Sequence, residues 1–234
     1  MQVTAICLTA DRQAYTERAI RCFLRQTYRS ARLLVYDSGR VPFVVPTAAD
    51  ASCACLRARA WVSHEDGGAT IGQLRNAANA IAYSQGGIFL HWDSDDWHSP
   101  VRIERQVEQL LKNRHLGAVG YREALFYNRA QRDAWIYRNE VEKYCIGASL
   151  CYWSSCWERQ PFEHTNKGED SRWLRGVASQ GFTGFEWGFD PLLIAELHAG
   201  NTSSHEAFAQ PNGGNVFVRA KAWDQAVRVL MEES

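Results

Sequence analysis

Ile88-Phe89-Leu90-His91-Trp92-Asp93-Ser94-Asp95-Asp96, continued by Trp97-His98-Ser99-Pro100, is the stretch on which the fold turns. Ile88 to Trp92 reads as a short buried strand. Three carboxylates, Asp93, Asp95 and Asp96, follow at its C-terminal end. Ser99 and Pro100 then supply a cap and a first-turn proline for a helix, with Ile103, Val107, Leu110 and Leu111 as its apolar face. A strand that ends in acids and feeds a helix is a unit of a parallel α/β sheet, and such sheets bind ligands at the C-terminal ends of their strands.

The same alternation extends toward the N-terminus. Thr70 caps a helix with Ile71, Leu74, Ala77, Ala78 and Ile81 on its inner face, and Gly86-Gly87 stops it. Val3 to Leu8 is a strand, Arg12 to Gln26 a helix, and Ala31 to Tyr36 a second strand closed by the turn Asp37-Ser38-Gly39. Arg40 to Asp50 reads as loop, Trp61 to His64 as a short third strand, and Glu65 to Gly68 as loop. The first 115 residues therefore predict a doubly wound, mostly parallel sheet. Beyond them the pattern is mixed α/β. Ala118–Tyr127 and Ala134–Arg138 form a hairpin turning near Asn128-Arg129. Ile146–Trp153 is a strand, Glu169–Ser179 a helix ended by Gly181, Pro191–His198 a strand, and Ala222–Met231 a final helix.

Composition narrows the function. The 234 residues are 46% hydrophobic and 22% charged, which excludes disorder. Twenty-six basic residues balance twenty-six acidic ones, so nothing marks a nucleic-acid or polybasic membrane binder. The longest apolar runs are too short to span a bilayer, and Met1 to Arg12 reads as a first strand rather than a signal peptide. Seven cysteines, an odd number, fit free thiols in a cytoplasmic protein, with at most a peripheral place on the inner face of a membrane. Neither Cys53/Cys55 nor Cys145/Cys151/Cys156 has paired C-x-x-C spacing, so buried small hydrophobes are the simpler reading.

The chemistry gathers at strand ends. Thr9, Asp37 and the Asp93–Asp96 cluster all lie there and should share one crevice. Three carboxylates in four residues repel, which raises some of their pKa values, and an oxygen-seeking Mg²⁺ or Mn²⁺ relieves the repulsion, especially beside substrate phosphates. No G-x-G-x-x-G follows the first strand and no G-x-x-x-x-G-K-[ST] occurs, against a dinucleotide oxidoreductase or a P-loop ATPase. Arg75 is a candidate phosphate clamp. Asp170, beside Glu169 in a first helical turn, is a candidate general base or simply a favourable acid at a helix start. His198, at a strand end, is a candidate metal ligand or a structural histidine. Trp92, Trp97, Trp153 and Trp157 flank these motifs, either stacking on a ligand or packing in the core.

In their order along the chain these motifs resemble the family 2 glycosyltransferases, which have the GT-A fold. The resemblance spans roughly residues 2 to 205. It is carried by Val3 to Arg12, Leu33 to Gly39, Ile71-Gly72-Gln73-Leu74-Arg75-Asn76 through Asp93-Ser94-Asp95-Asp96, Gly147 to Tyr152 through Gly168-Glu169-Asp170, and His198 to Ser203. It implies a single α/β domain with a Rossmann-like, mostly parallel sheet and helices on both faces. Residues 1–115 would be a nucleotide-sugar-binding half, 116–205 a mixed acceptor half, and 206–234 a tail with a helix. It implies an inverting, metal-dependent transfer from a nucleoside-diphosphate sugar, most often a UDP-sugar, to a hydroxyl of a glycan, lipid-linked or protein acceptor in cell-surface glycan synthesis.

It also implies roles. Thr9, Ala10, Arg12, Asp37, Arg75, Asp93 and Ser94 would line the donor site. Asp95, with His198, would hold Mn²⁺ or Mg²⁺. Asp170 would be the base with Glu169 its neighbour, and Trp153 and Ser149 would lie on the acceptor side. Leu8, Ala10 and Asp11 stand where the family often has proline, tyrosine and asparagine, and Ser38 replaces a common second acid, which leaves the donor base open. A non-catalytic nucleotide-sugar or glycan binder is the alternative. A nucleotidyltransferase would need a glycine-rich loop after the first strand, where Thr9 to Arg12 has none.

Overall fold

A computed structural model describes residues 2–45, 53–57, 68–83, 87–140, 143–185, 191–198, 201 and 215–232. Its first half builds the expected alternation. The elements are β1 (Val3–Thr9), α1 (Gln13–Leu24), β2 (Ala31–Asp37), β3 (Cys53–Arg57), α2 (Ile71–Tyr83), β4 (Ile88–His91), β5 (Trp97–His98) and α3 (Arg102–Lys112). The second half adds β6 (Ala118–Tyr121), β7 (Glu123–Asn128), β8 (Asp133–Asn139), β9 (Cys151–Trp153), α4 (Ser154–Arg159), α5 (Glu169–Gly176), β10 (Phe182–Phe185), β11 (Leu193–Leu197), β12 (Asn215–Arg219) and α6 (Asp224–Glu232).

Seven strands form one sheet in the order β10-β6-β9-β4-β1-β2-β3. β1 pairs parallel with β2 and β4, and only β9 runs antiparallel, between β4 and β6. β1, β2 and β4 are almost wholly buried, as continuous apolar strands between two helix layers are. A second, five-stranded sheet has the order β12-β8-β7-β11-β5. The main core packs Val3, Ala5, Ile20, Phe23, Leu33, Leu90, Trp92 and Ile103 between α1, α3 and the large sheet.

Several boundaries depart from the sequence reading. Ala118–Tyr127 is two strands, because the chain changes sheets at Arg122. Its amide donates to the Phe185 carbonyl of the first sheet, and its own carbonyl accepts from Asn139 of the second. Ile146–Trp153 is not one strand. The Ser149 hydroxyl donates to the Ile146 carbonyl at 2.7 Å and accepts from the Tyr121 amide at 2.7 Å, which curls Gly147–Ser149 into a 3-10 turn before β9. α3 begins at Arg102, whose amide bonds the Ser99 carbonyl, a little beyond the expected cap. α5 ends at Gly176 and a 3-10 turn, Val177–Gln180, carries the chain to Gly181. β3 lies at Cys53–Arg57, within a stretch with no strand in the sequence reading. Trp61–His64, Glu65–Gly67, Gly86 and most of the tail after His198 fall outside the described residues.

Candidate active site

The C-terminal ends of β1 and β4 open into a crevice of about 560 Å³, closed on the far side by the start of α5, the Gly147 turn and β11. Of the donor-side residues, Thr9, Ala10, Arg12, Arg75, Asp93 and Ser94 line it, together with Asp95, Asp96, Glu169 and Asp170. Asp37 stands just behind. Its Oδ1 accepts from the Gly39 amide at 2.9 Å and its Oδ2 from the Phe43 amide at 2.8 Å, so it shapes the turn whose Ser38 reaches the crevice. The Thr9 hydroxyl is 2.6 Å from that of Thr16, which ties the end of β1 to α1.

The three acids after β4 have separate environments. Asp95 Oδ2 accepts from Arg12 Nη1 at 2.5 Å and lies 3.0 Å from His198 Nε2. Burial pushes the Asp95 carboxyl up, but the His198 hydrogen bond and the Arg12 charge outweigh it and hold the pKa below the ordinary value. Asp96 is buried. Desolvation and the charges of Asp95 and Asp93 drive its pKa well above the usual range. Asp93 is raised in the same direction, by burial first, against the pull of Arg75.

Arg75 is buried between two acids, its Nε 3.1 Å from Glu169 Oε1 and its Nη2 3.8 Å from Asp93 Oδ1. Its Nη1 is buried and finds no hydrogen-bond partner among the described residues. α2 holds this arginine in place through reciprocal capping. The Thr70 amide donates to Gln73 Oε1 at 2.8 Å and the Gln73 amide to Thr70 Oγ1 at 3.3 Å.

Glu169 and Asp170 have different places. Glu169 is buried against Arg75, with its carboxyl raised by burial. That engagement ties Glu169 to Arg75. Asp170 is half-buried and its Oδ1 accepts from the Ser171 amide at 2.6 Å, while no hydrogen bond reaches Oδ2 among the described residues. Gly168 enters α5 at φ +70°, a left-handed conformation that glycine adopts without strain, and this turns both acids toward the crevice. Gly147 completes the placement, since a β-carbon there would lie 1.6 Å from Asp170 Oδ2.

The acceptor-side expectations are corrected. Ser149 is fully buried and its hydroxyl serves Tyr121 and Ile146. Trp153, the last residue of β9, is partly buried and packs on the core. Neither lines the crevice, whose wall on that side is Ala124, Phe126, Tyr144, Ile146, Leu193 and Leu197. Trp92, Trp97 and Trp157 likewise pack inside, with Trp92 Nε1 bonded to the Ala19 carbonyl and Trp157 Nε1 to Asn76. Cys22, Cys145, Cys151 and Cys156 are free thiols, and they and Cys7 are buried. Lys167, Gly147 and Glu196 also line the crevice and escaped the sequence reading. An acid inside the apolar strand Leu193-Ile194-Ala195-Glu196-Leu197 was the available signal for the last.

Among the described residues no group of three or more His, Cys, Asp or Glu is arranged to hold a metal, and no helix is long and apolar enough to cross a membrane. Asp95 and His198 nevertheless bring one oxygen and one nitrogen to a single point. That donor set suits Mg²⁺ or Mn²⁺ where a ligand's phosphates complete the shell.

The family model for glycosyl transferase family 2 matches residues 4–140, more than half of the chain. No curated protein matches. Among solved structures, S. aureus TarS 1–349 superposes with a TM-score of 0.59 at 13% identity, over 84% of this chain and 60% of that one. TarS 1–349 in complex with UDP-GlcNAc gives 0.59 at 12% identity, over 86% and 60%. The mannosyltransferase PcManGT from Pyrobaculum calidifontis, in complex with GDP-Man and Mn²⁺, gives 0.55 at 14% identity, over 98% and 69%. The chain thus spans about 60% of the TarS fragment's length. Identities this low carry the fold, GT-A, and the family model carries membership. The C-terminal ends of β1, β2 and β4, which build the crevice, fall inside the matched residues, and the chain belongs to glycosyl transferase family 2.

Proposed function

We propose that this enzyme transfers a sugar from a nucleoside-diphosphate donor to an acceptor hydroxyl with inversion, in one displacement, with Asp170 as general base. The observation that carries this reading is the shared crevice. Asp170 presents Oδ2 with no hydrogen bond among the described residues, and the same crevice is lined by Asp95, His198's partner, and by Arg75 with its spare Nη1. Arg75 and Arg12 would bind the donor, with Asp93 at its ribose and Ser94 beside it. Asp95 and His198 would hold Mn²⁺ or Mg²⁺, which when bound supplies positive charge to the diphosphate leaving group. Asp170 takes the proton of the acceptor hydroxyl as it attacks the anomeric carbon. The wall of Ala124, Phe126, Tyr144 and Ile146 receives the acceptor, be it glycan, lipid-linked or protein. The related structures bind UDP-GlcNAc and GDP-Man, which supports a nucleoside-diphosphate sugar here. Synthesis of cell-surface glycan is the role we infer.

The test is a panel of UDP- and GDP-sugars with Mn²⁺, each product's anomeric configuration read by proton NMR. The displacement reading predicts inversion relative to the donor, and retention overturns it.

A further inference from the structure

Glu196 lines the crevice but has no part in the reaction just derived. It is 1% exposed in the middle of apolar β11, and a carboxylate removed from water requires charged or hydrogen-bonding partners. It has two. Arg18 of α1 donates from Nη1 to Oε2 at 2.5 Å. Arg129, in the turn between β7 and β8, donates from Nε to Oε1 at 2.8 Å and from Nη2 to Oε2 at 3.2 Å.

Arg18 continues past Glu196. Its Nη2 donates to the backbone carbonyl of Asp95 at 2.5 Å, so one buried guanidinium bridges Glu196 to the peptide bearing the proposed cation ligand. The backbone of Glu196 serves the second ligand. Its carbonyl accepts from Asn201 Nδ2 at 3.0 Å, and Asn201 Oδ1 accepts from the His198 amide at 2.5 Å, closing the turn that carries the imidazole. Tyr15, one helical turn before Arg18, stacks on the His198 ring at 4.8 Å and 20°. The Arg18 and Asn201 routes from Glu196 each end on the backbone of a residue assigned to the cation, whereas Arg129 goes on to the Met231 carbonyl at 3.5 Å.

We propose that Glu196 is a positioning residue for donor binding: through Arg18 it fixes the peptide at Asp95, and through Asn201 the turn at His198, so that both side chains are set before cation and diphosphate arrive. The inference rests on the donor-site reading above. It goes beyond a structural ion pair, which would support the fold without affecting affinity.

The variant that separates the two is Arg18→Lys. Lysine keeps the buried positive charge but has no planar fork to reach Glu196 and the Asp95 carbonyl together. Full-length protein is titrated calorimetrically with UDP and with GDP, at rising Mn²⁺ and without it, and melted in parallel. Outer-shell changes at metal sites cost about 10–100-fold in metal affinity. Arg18→Lys should therefore weaken Mn²⁺-dependent binding at least tenfold, with metal-free nucleotide binding and the melting temperature close to wild type. Arg138→Met is the control. It breaks the pair of a half-exposed arginine with buried Glu123, at 2.8 Å, and should change the melting temperature but not the affinity. Asn201→Ala strands no charge, tests the His198 arm, and stands alone if Arg18→Lys does not fold. Wild-type affinity in a folded Arg18→Lys or in Asn201→Ala overturns the proposal, as does an equal loss in Arg138→Met. A wild-type protein that binds neither nucleotide with Mn²⁺ overturns the donor-site reading itself.

Discussion

Asp170 and Gly147 meet so closely that a β-carbon on Gly147 would lie 1.6 Å from Asp170 Oδ2. The 3-10 turn carrying Gly147 is itself held, because His91 Nδ1 lies 2.8 Å from the Gly147 carbonyl. The proposed base is therefore seated against backbone. Gly147→Ala must push the carboxylate away, and a displacement of about 1 Å at a reacting group costs roughly 10²-fold in rate. Steady-state kinetics should show kcat reduced by about that factor, with nucleoside-diphosphate affinity unchanged.

The neighbouring acids should separate cleanly in mutants. Asp170→Asn removes a proton acceptor and should lower transfer by about 10²–10⁴-fold while donor binding survives. Glu169→Gln leaves Arg75 without its nearest charge partner, and its main effect should be weaker donor binding. Measuring kcat and donor KM for both variants checks the assignment, and equal loss of kcat in the two contradicts it.

His91 gives a pH-dependent prediction. Burial, and then the Arg75 charge, hold its pKa well below 6.5 in the folded protein. The unfolded chain takes up a proton near pH 6.5 that the folded chain refuses, so its contribution to stability falls as pH drops below about 6.5, by about 1.4 kcal/mol per pH unit. His91→Asn keeps a donor near the Gly147 carbonyl without the titration. Urea melts between pH 7.5 and 5.5 should show wild type losing stability relative to this variant by that slope.

Much of this was legible in the sequence because it depends on local pattern. The β1, β2 and β4 runs, the acids after Trp92 and the capped start of α2 each follow from periodicity or turn chemistry within a dozen residues. What escaped depends on contacts distant in sequence. Nothing near Arg122 announces that the chain changes sheets there, since its partners are Phe185 and Asn139. Ser149 and Trp153 sit in a segment that resembles the acceptor side, yet their side chains turn inward. The division of labour between Glu169 and Asp170 is set by Arg75, 94 residues before Glu169.

The crevice at Asp95 is proposed above as a cation-dependent nucleoside-diphosphate site. Thermal denaturation of wild type and Asp95→Ala with uridine, guanosine, thymidine, cytidine and adenosine diphosphates, each with and without Mn²⁺, tests it most directly. A ligand at a hundred times its Kd adds about 2.7 kcal/mol of stability. A cation-dependent site gives a clear stabilisation of wild type by at least one diphosphate, dependent on Mn²⁺ and absent in Asp95→Ala. No shift with any of the five, or a shift of equal size in Asp95→Ala, would contradict it.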